Sequence, residues 1–378
     1  MSNRSKKPES GFSLLEMIVA MALGTLVLGA ATSMYVQGVN ATWTVTQRAE
    51  MQQDFRAASN MLTKDLSLAG AGLGNNAAIP LATSGTLPVI GCVQATLACH
   101  MGAANITSLA YPTQSGAPYL YGLVTGYNGG PTINSLSTDT VTVAYTDSSF
   151  YLNCYTATVA TSTTVTFALP GTTSVNCTSP TGNTGAQAIN DSGTGLVTGD
   201  LVLFTFGAVQ VVGLVTANAS STTATFASSD ALKLNQASTS THSLASTATG
   251  TTGFGQRLLV ITYYIDNSSS PPILMRQIGG HAPIPVAENV AYMKFSYDLY
   301  NDTTNTPAIG CTNPGASPDG CATSGASSGL IPNQITKTNI LHMAVTSTMK
   351  GAIGGYQGLD LETSVSARNL TYSDNYPQ

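Results

Sequence analysis

The stretch Gly11-Phe12-Ser13-Leu14-Leu15-Glu16, followed by an apolar run from Met17 to Val36, decides how this chain is built. At about 1.5 Å per residue, a helix over Phe12–Val36 is long enough to cross the roughly 30 Å hydrocarbon core of a bilayer. The residues before it are polar and include Arg4, Lys6 and Lys7, and no matching cations follow directly. That asymmetry predicts a cytoplasmic N-terminus. Three readings of the segment compete. A secretory signal peptide would be cut after the apolar run, near the small residues Gly29-Ala30-Ala31. A plain anchor would not be cut at all. The third reading turns on Glu16: a carboxylate costs about 2.5–3.5 kcal/mol at mid-membrane depth, less near an interface, and marks a functional position by default.

The helical pattern continues past the apolar run. Val39, Trp43, Met51, Phe55, Ala58, Leu62 and Leu66 recur at helical spacings, with Arg48, Glu50, Asp54, Arg56 and Lys64 between them. Gly70-Ala71-Gly72 supplies the stop. One long helix is therefore predicted over Phe12–Leu68, membrane-spanning over 12–36 and amphipathic over 37–68.

Composition narrows the function classes. The chain has 378 residues, 43% hydrophobic and only 8% charged, so it should fold rather than remain disordered. Hydroxyls and amides must supply most of its polar surface. A net charge of −5 with 13 Lys and Arg gives no basic field, which argues against nucleic acid as a partner. The six cysteines fall into three local couples, Cys92 with Cys99, Cys154 with Cys177, and Cys311 with Cys321. An even count without C-x-x-C spacing favours disulfides in an oxidising compartment over a zinc site, although six cysteines allow about 15 connectivities. Buried free thiols are the alternative. The segment between Cys311 and Cys321 has no strand pattern, and closing it should stabilise by roughly 2–3 kcal/mol in the entropic view.

After Gly74 the periodicity changes to short segments rich in Val, Thr, Tyr and Phe, punctuated by Gly, Ser, Asn and Pro. Strands are predicted over Thr140–Tyr145, Tyr155–Ala160, Thr164–Ala168, Asp200–Phe206, Val209–Thr216, Thr222–Ala227 and Arg257–Ile265. Met293, Phe295, Tyr297 and Leu299 share one face of another strand. Leu341, Met343 and Val345 repeat the alternation, and Thr363–Leu370 does so more weakly. Leu258-Leu259-Val260-Ile261 reads as a strand buried on both faces. Ser228–Gly255 and Asn301–Ser328 read as loops, and no fixed-period repeat is present. The expected organisation is a leader (1–11), the helix (12–68), a β-rich and partly inserted region (69–255) and a C-terminal antiparallel sheet (256–378).

A short basic leader ending in Gly11, then Phe12-Ser13-Leu14-Leu15-Glu16 and an apolar helix, resembles the class III signal of type IV prepilins. The resemblance implies cleavage between Gly11 and Phe12 by a prepilin peptidase that also N-methylates Phe12. It implies that the helix stays in the mature chain, and that Glu16 pairs with the terminal amine of a neighbouring subunit as helices pack. Gln53-Asp54-Phe55-Arg56-Ala57-Ala58 with Met61-Leu62, Asp65-Leu66 and Ala69-Gly70 is similar to the helix end of PilW-like minor pilins. Pro285–Val290 with Phe295 and Tyr297, and Val365 with Arg368-Asn369-Leu370, look like that family's last strands. J-type pseudopilins of type II secretion share the plan. The implied fold is α+β, a lollipop with a long N-terminal helix packed on an antiparallel β-rich head carrying a large β insertion. The implied role is a structural subunit that initiates or caps pilus assembly. The implied partners are the peptidase, other minor and major pilins, an inner-membrane assembly platform and membrane lipid. The implied location is the inner membrane, single-pass with a periplasmic head, then a pilus or pseudopilus. Major pilins commonly carry a kinking proline in the membrane segment; Phe12–Leu68 has none, although Gly24 and Gly29 could loosen it. That and the large head argue against a major subunit.

No catalytic pattern competes with this. His100, His242, His281 and His342 show no H-E-x-x-H spacing, and neither a G-x-S-x-G elbow nor a P-loop occurs. Asp298, Asn301 and Asp302, and separately Asp319, offer oxygen ligands for calcium but lack EF-hand spacing, so turn chemistry is the better reading. No enzyme activity, cofactor or metal is expected. Tyr111, Tyr119, Tyr121 and Tyr127 are candidate exposed aromatics for an adhesin role on the filament, the alternative to a purely structural one.

Overall fold

The computed structural model describes residues 11–73, 78–84, 86–90, 109–114, 116–150, 152–168, 188–228, 230–237, 240–268, 270–301, 306–311, 335–346, 358–366 and 369–370. The chain divides into two compact units, Met1–Gln52 with Ser347–Gln357, and Gln53–Thr346 with Gly358–Gln378.

The helix α1 runs over Leu14–Ser67, a residue or two inside the expected limits at each end. It stays helical through Gly24, Gly29 and Gly38. From Leu14 to Val45 its large apolar side chains are exposed, Leu14, Met21, Leu28 and Tyr35 among them, and Phe12 just before the helix is 91% exposed. The hydroxyls of this stretch are turned back on the helix: Thr25 Oγ1 donates to Ala22 O at 2.9 Å and Thr32 Oγ1 to Leu28 O at 2.8 Å. Such internal bonds are what a hydroxyl requires where no water is at hand. From Gln53 onward the helix belongs to the second unit, where Phe55, Ala58, Leu62 and Leu66 form its buried stripe.

Short strands come first in the second unit: β1 (Ala78–Pro80), β2 (Val89–Ile90), β3 (Leu109–Ala110), β4 (Thr113–Gln114), β5 (Ala117–Tyr121), β6 (Leu123–Gly126), β7 (Thr132–Ile133) and β8 (Leu136–Ser137). Longer ones follow as β9 (Thr140–Thr146), β10 (Thr156–Thr161), β11 (Thr164–Ala168), β12 (Leu201–Phe206), β13 (Val209–Leu214) and β14 (Thr223–Thr225). The chain then forms β15 (Thr252–Asp266), β16 (Ile273–Ile278), β17 (Ile284–Glu288), β18 (Val290–Asn301), β19 (Thr306–Cys311), β20 (Ile335–Thr346) and β21 (Gly358–Ser366). Every ladder among them is antiparallel, so the fold is α+β as expected.

The strand β15 is the centre of a ten-stranded sheet. It pairs in turn with β10 at Thr252–Gly253, β12 at Phe254–Leu258, β9 at Leu258–Tyr263 and β16 at Ile261–Asp266. Val260 to Ile265 are buried without interruption, which explains the unalternating apolar sequence there. Against one part of this sheet sits an aromatic core in which Phe204 stacks on Phe206 at 5.6 Å and meets Phe226 edge-on at 5.3 Å. Each such ring contributes about 1.5–3 kcal/mol by burial. A second sheet has the order β19-β18-β20-β21, and Met293, Phe295, Tyr297 and Leu299 of β18 are all buried, on the face the alternation predicted.

Four expectations need correction. The strand β19 lies inside Asn301–Ser328, read as a loop because Pro307 and Gly310 interrupt its pattern. The last strand is Gly358–Ser366, not Thr363–Leu370, and Asn369-Leu370 is helical. The expected boundary between Gly255 and Gln256 falls inside β15, whose sheet joins strands from both sides of it. Tyr111 and Tyr121 are core residues, 3% and 2% exposed, so of the four tyrosines only Tyr127 is exposed.

One face of the ten-stranded sheet is a threonine array. Thr223 of β14 stands opposite Thr166 of β11, Thr166 opposite Thr158 of β10, and Thr158 opposite Thr252 of β15. Their chain neighbours Ala224, Val165, Phe167, Ala157 and Val159 are buried on the other face, so the hydroxyl row is the outward one.

Candidate functional site

The helix N-terminus is built as a capping box. Glu16 N donates to Ser13 Oγ at 3.2 Å, and Ser13 N donates to Glu16 Oε2 at 2.9 Å. Two of the four N–H groups that a helix start leaves unpaired are satisfied reciprocally. The carboxylate also lies in the first turn, where the helix dipole favours negative charge. Gly11 and Phe12 precede the helix in non-helical conformation, and both are exposed. The Gly11–Phe12 bond therefore lies outside the helix and open to solvent, with no side chain on its first residue.

The other end of α1 is held differently. Asp65, 3% exposed, accepts from Arg276 Nε of β16 at 2.9 Å, from Tyr263 OH of β15 at 2.6 Å and from Tyr145 OH of β9 at 3.1 Å. Arg276 also donates to Tyr263 OH at 3.1 Å and lies over that ring. Burial, then the Asp65 charge, pushes the Tyr263 and Tyr145 hydroxyls well above their usual range, so both remain donors. Burial alone would lower the Arg276 pKa, but the hydrogen bond and charge of Asp65 outweigh it and raise it. Beyond Ser67, Gly70 adopts φ +80° and donates to Ala144 O. A Cβ on Gly122 would lie 2.7 Å from the Gly70 backbone and from Leu370 Cδ2. The sequence blocks Asp65–Gly70 and Asn369–Leu370, far apart in the chain, thus meet at the helix end.

The remaining candidates scatter. His281 Nε2 bonds Asp200 Oδ1 at 2.8 Å, and His242 Nδ1 lies 3.3 Å from Gln210 O. His100 and the side chain of His342 lie outside the described residues. Asp298 accepts from Gly310 N at 2.9 Å, a strand-pairing contact, while Asp302 and Asp319 lie outside the described residues. Cys154 and Cys311 are each disulfide-bonded; Cys92, Cys99, Cys177 and Cys321 lie outside the described residues, and so do the pairings. Sequence reasoning missed the Ser13 cap, although its S-x-x-E spacing was readable. It also missed Arg257, which joins Asp147 at 3.2 Å and lies near Asp200 at 3.8 Å.

These features define an α+β protein with one exposed, apolar N-terminal helix, the only described helix long and apolar enough to cross a membrane. Residues 6–32 match the model of the prokaryotic N-terminal methylation motif. That motif is the substrate signal of prepilin peptidase, and with the helix it supports a type IV pilin-like or pseudopilin-like chain anchored by a single helix. It is the mark of a pilin-type structural protein and not of an enzyme family. No curated protein and no solved structure matches the chain significantly.

Proposed function

We propose that the chain is a PilW-like minor pilin that initiates or caps type IV pilus assembly, with a mature N-terminus at N-methylated Phe12. The observation that carries this is the Gly11–Glu16 block set at the start of an uninterrupted 54-residue helix. Glu16 would leave its cap on Ser13 to meet the terminal amine of the next subunit, and other pilins and the inner-membrane platform would be its partners. The head would be periplasmic before assembly, with Cys311 joined to Cys321 there. Mass spectrometry of the mature chain tests the reading. A start at methylated Phe12 is expected; a start near Thr32 would identify an ordinary signal peptide and end it.

A second reading, a filament-borne binding module, is favoured by the outward threonine row, a charge-free face suited to hydroxylated surfaces. Thr166→Lys with Thr252→Lys should then abolish attachment at an unchanged filament number. Attachment that persists would leave the structural role alone.

A further inference from the structure

In the turn after β6, Asn128 has φ +51° and its N–H donates to Asp139 Oδ1 at 2.8 Å. Asp139 is 2% exposed, and its second oxygen accepts from Phe295 N at 3.1 Å. Between the two side chains lies Lys294 of β18, its Nζ 2.6 Å from Asp139 Oδ1 and 2.5 Å from Asn128 Oδ1. The Tyr127 ring covers the ammonium, with its centroid 4.8 Å away, and the Lys294 side chain is only 16% exposed. An amine, a carboxamide and a largely buried carboxylate are thus packed together from segments 166 residues apart.

We propose that this triad forms an intramolecular isopeptide bond between Lys294 Nζ and Asn128 Cγ, with Asp139 as the catalytic carboxylate. The geometry is that of a near-attack arrangement, since Cγ lies one C=O bond, about 1.2 Å, behind the oxygen that Nζ already touches. Asp139 takes a proton from the Lys294 ammonium and frees its lone pair, which attacks Asn128 Cγ. The Nζ–Cγ bond forms and the Cγ–Nδ2 bond breaks. Both protons that Nζ gives up end on the departing nitrogen, which leaves as ammonium, and Asp139 ends as it began. No oxidant, water or cofactor is consumed. Holding Asp139 by the backbone N–H groups of Asn128 and Phe295 keeps the proton carrier in place throughout. The product would tie the β6–β7 turn to β18, a covalent brace between the ten-stranded and the four-stranded sheets that reducing agents leave intact.

The full-length chain, purified from membranes in detergent, is denatured, digested and sequenced by tandem mass spectrometry. The expected result is a branched peptide containing Asn128 and Lys294, lighter by one ammonia than its two parts. Asn128→Ala, which keeps the Asp139–Lys294 ion pair and so the fold, should yield two linear peptides, as should Lys294→Arg. Recovery of both linear peptides from the wild type would overturn the proposal. An ammonia loss that persists in Lys294→Arg would also overturn it, because the ring would then have closed onto the Gly129 N–H. A branched peptide at wild-type yield in folded Asp139→Ala would remove the role assigned to Asp139.

Discussion

Asp65 Oδ2 and Arg276 Nε stand 2.9 Å apart, joining the last turn of α1 to β16 in an interior that leaves Asp65 3% and Arg276 14% exposed. Two tyrosine hydroxyls complete the carboxylate's shell. A buried pair adds little over an apolar pair of the same shape, but half of one is costly. Arg276→Ala should therefore destabilise the protein by about 3–5 kcal/mol. Asp65→Leu combined with Arg276→Met should lose markedly less. Denaturant midpoints of the full chain in detergent measure both, and a double variant as weak as Arg276→Ala would show that the pair is not the cause.

At the opposite end of α1 the cap and the proposed assembly contact share one carboxylate, so two substitutions separate them. Ser13→Ala removes the acceptor of the Glu16 N–H and should weaken the first turn by about 0.5–2 kcal/mol, seen as faster amide exchange over Leu14–Glu16. It leaves the Glu16 charge and should leave incorporation into filaments nearly intact. Glu16→Ala should loosen the same turn without hindering membrane insertion, and should strongly reduce incorporation. Equal losses of incorporation in the two variants would place the effect in the cap instead.

Burial pushes the carboxyl of Asp230 above its usual range, and the N–H groups of Leu234 and Asn235 offset only part of this. A folded-state pKa above the unfolded value of about 3.9 means that folding favours the protonated acid. Its stabilising contribution is complete below that unfolded value and is lost as pH rises through the folded one. The melting temperature of the wild type relative to Asp230→Asn should therefore fall as pH rises from about 4 toward neutrality. A difference that stays flat with pH would mean that Asp230 does not titrate in this way.

Much of the fold was legible because single segments declare themselves. Phe12–Val36 is too long and apolar to be anything but a helix for a membrane or a large core, and β11 falls on Thr164–Ala168 as the alternation required. The start of β15 was not legible, since Thr252-Gly253-Phe254-Gly255 carries a turn composition. The structure gives those glycines another purpose. A Cβ on Gly253 would lie 2.2 Å from Thr205 O, and one on Gly255 would press on Phe204 and Val202. Glycine here marks close packing within a strand, which composition cannot tell from a turn. The site divides similarly. Gly11, Phe12 and Glu16 stand together in one local motif, whereas Asn128, Asp139 and Lys294 meet only after two sheets have formed.

The central place of β15 also sets the timing of folding during synthesis, and of export if the head crosses the membrane as proposed. Thr142 of β9 meets its partner Thr262 only after 120 further residues have been made. At about 5–20 residues per second, that is an interval on the order of ten seconds. During it, the edges of β9, and of β10 and β12 once they are made, stay open to other chains until β15 covers them, with apolar side chains such as Val143, Val159 and Phe204 not yet enclosed. Nascent heads tethered side by side in one membrane would be most prone to stick to each other in that interval. With the head on the far side of the bilayer, as proposed, a chain of this design would gain from a holding chaperone there until Asp266 has emerged, and would gain nothing from it afterwards.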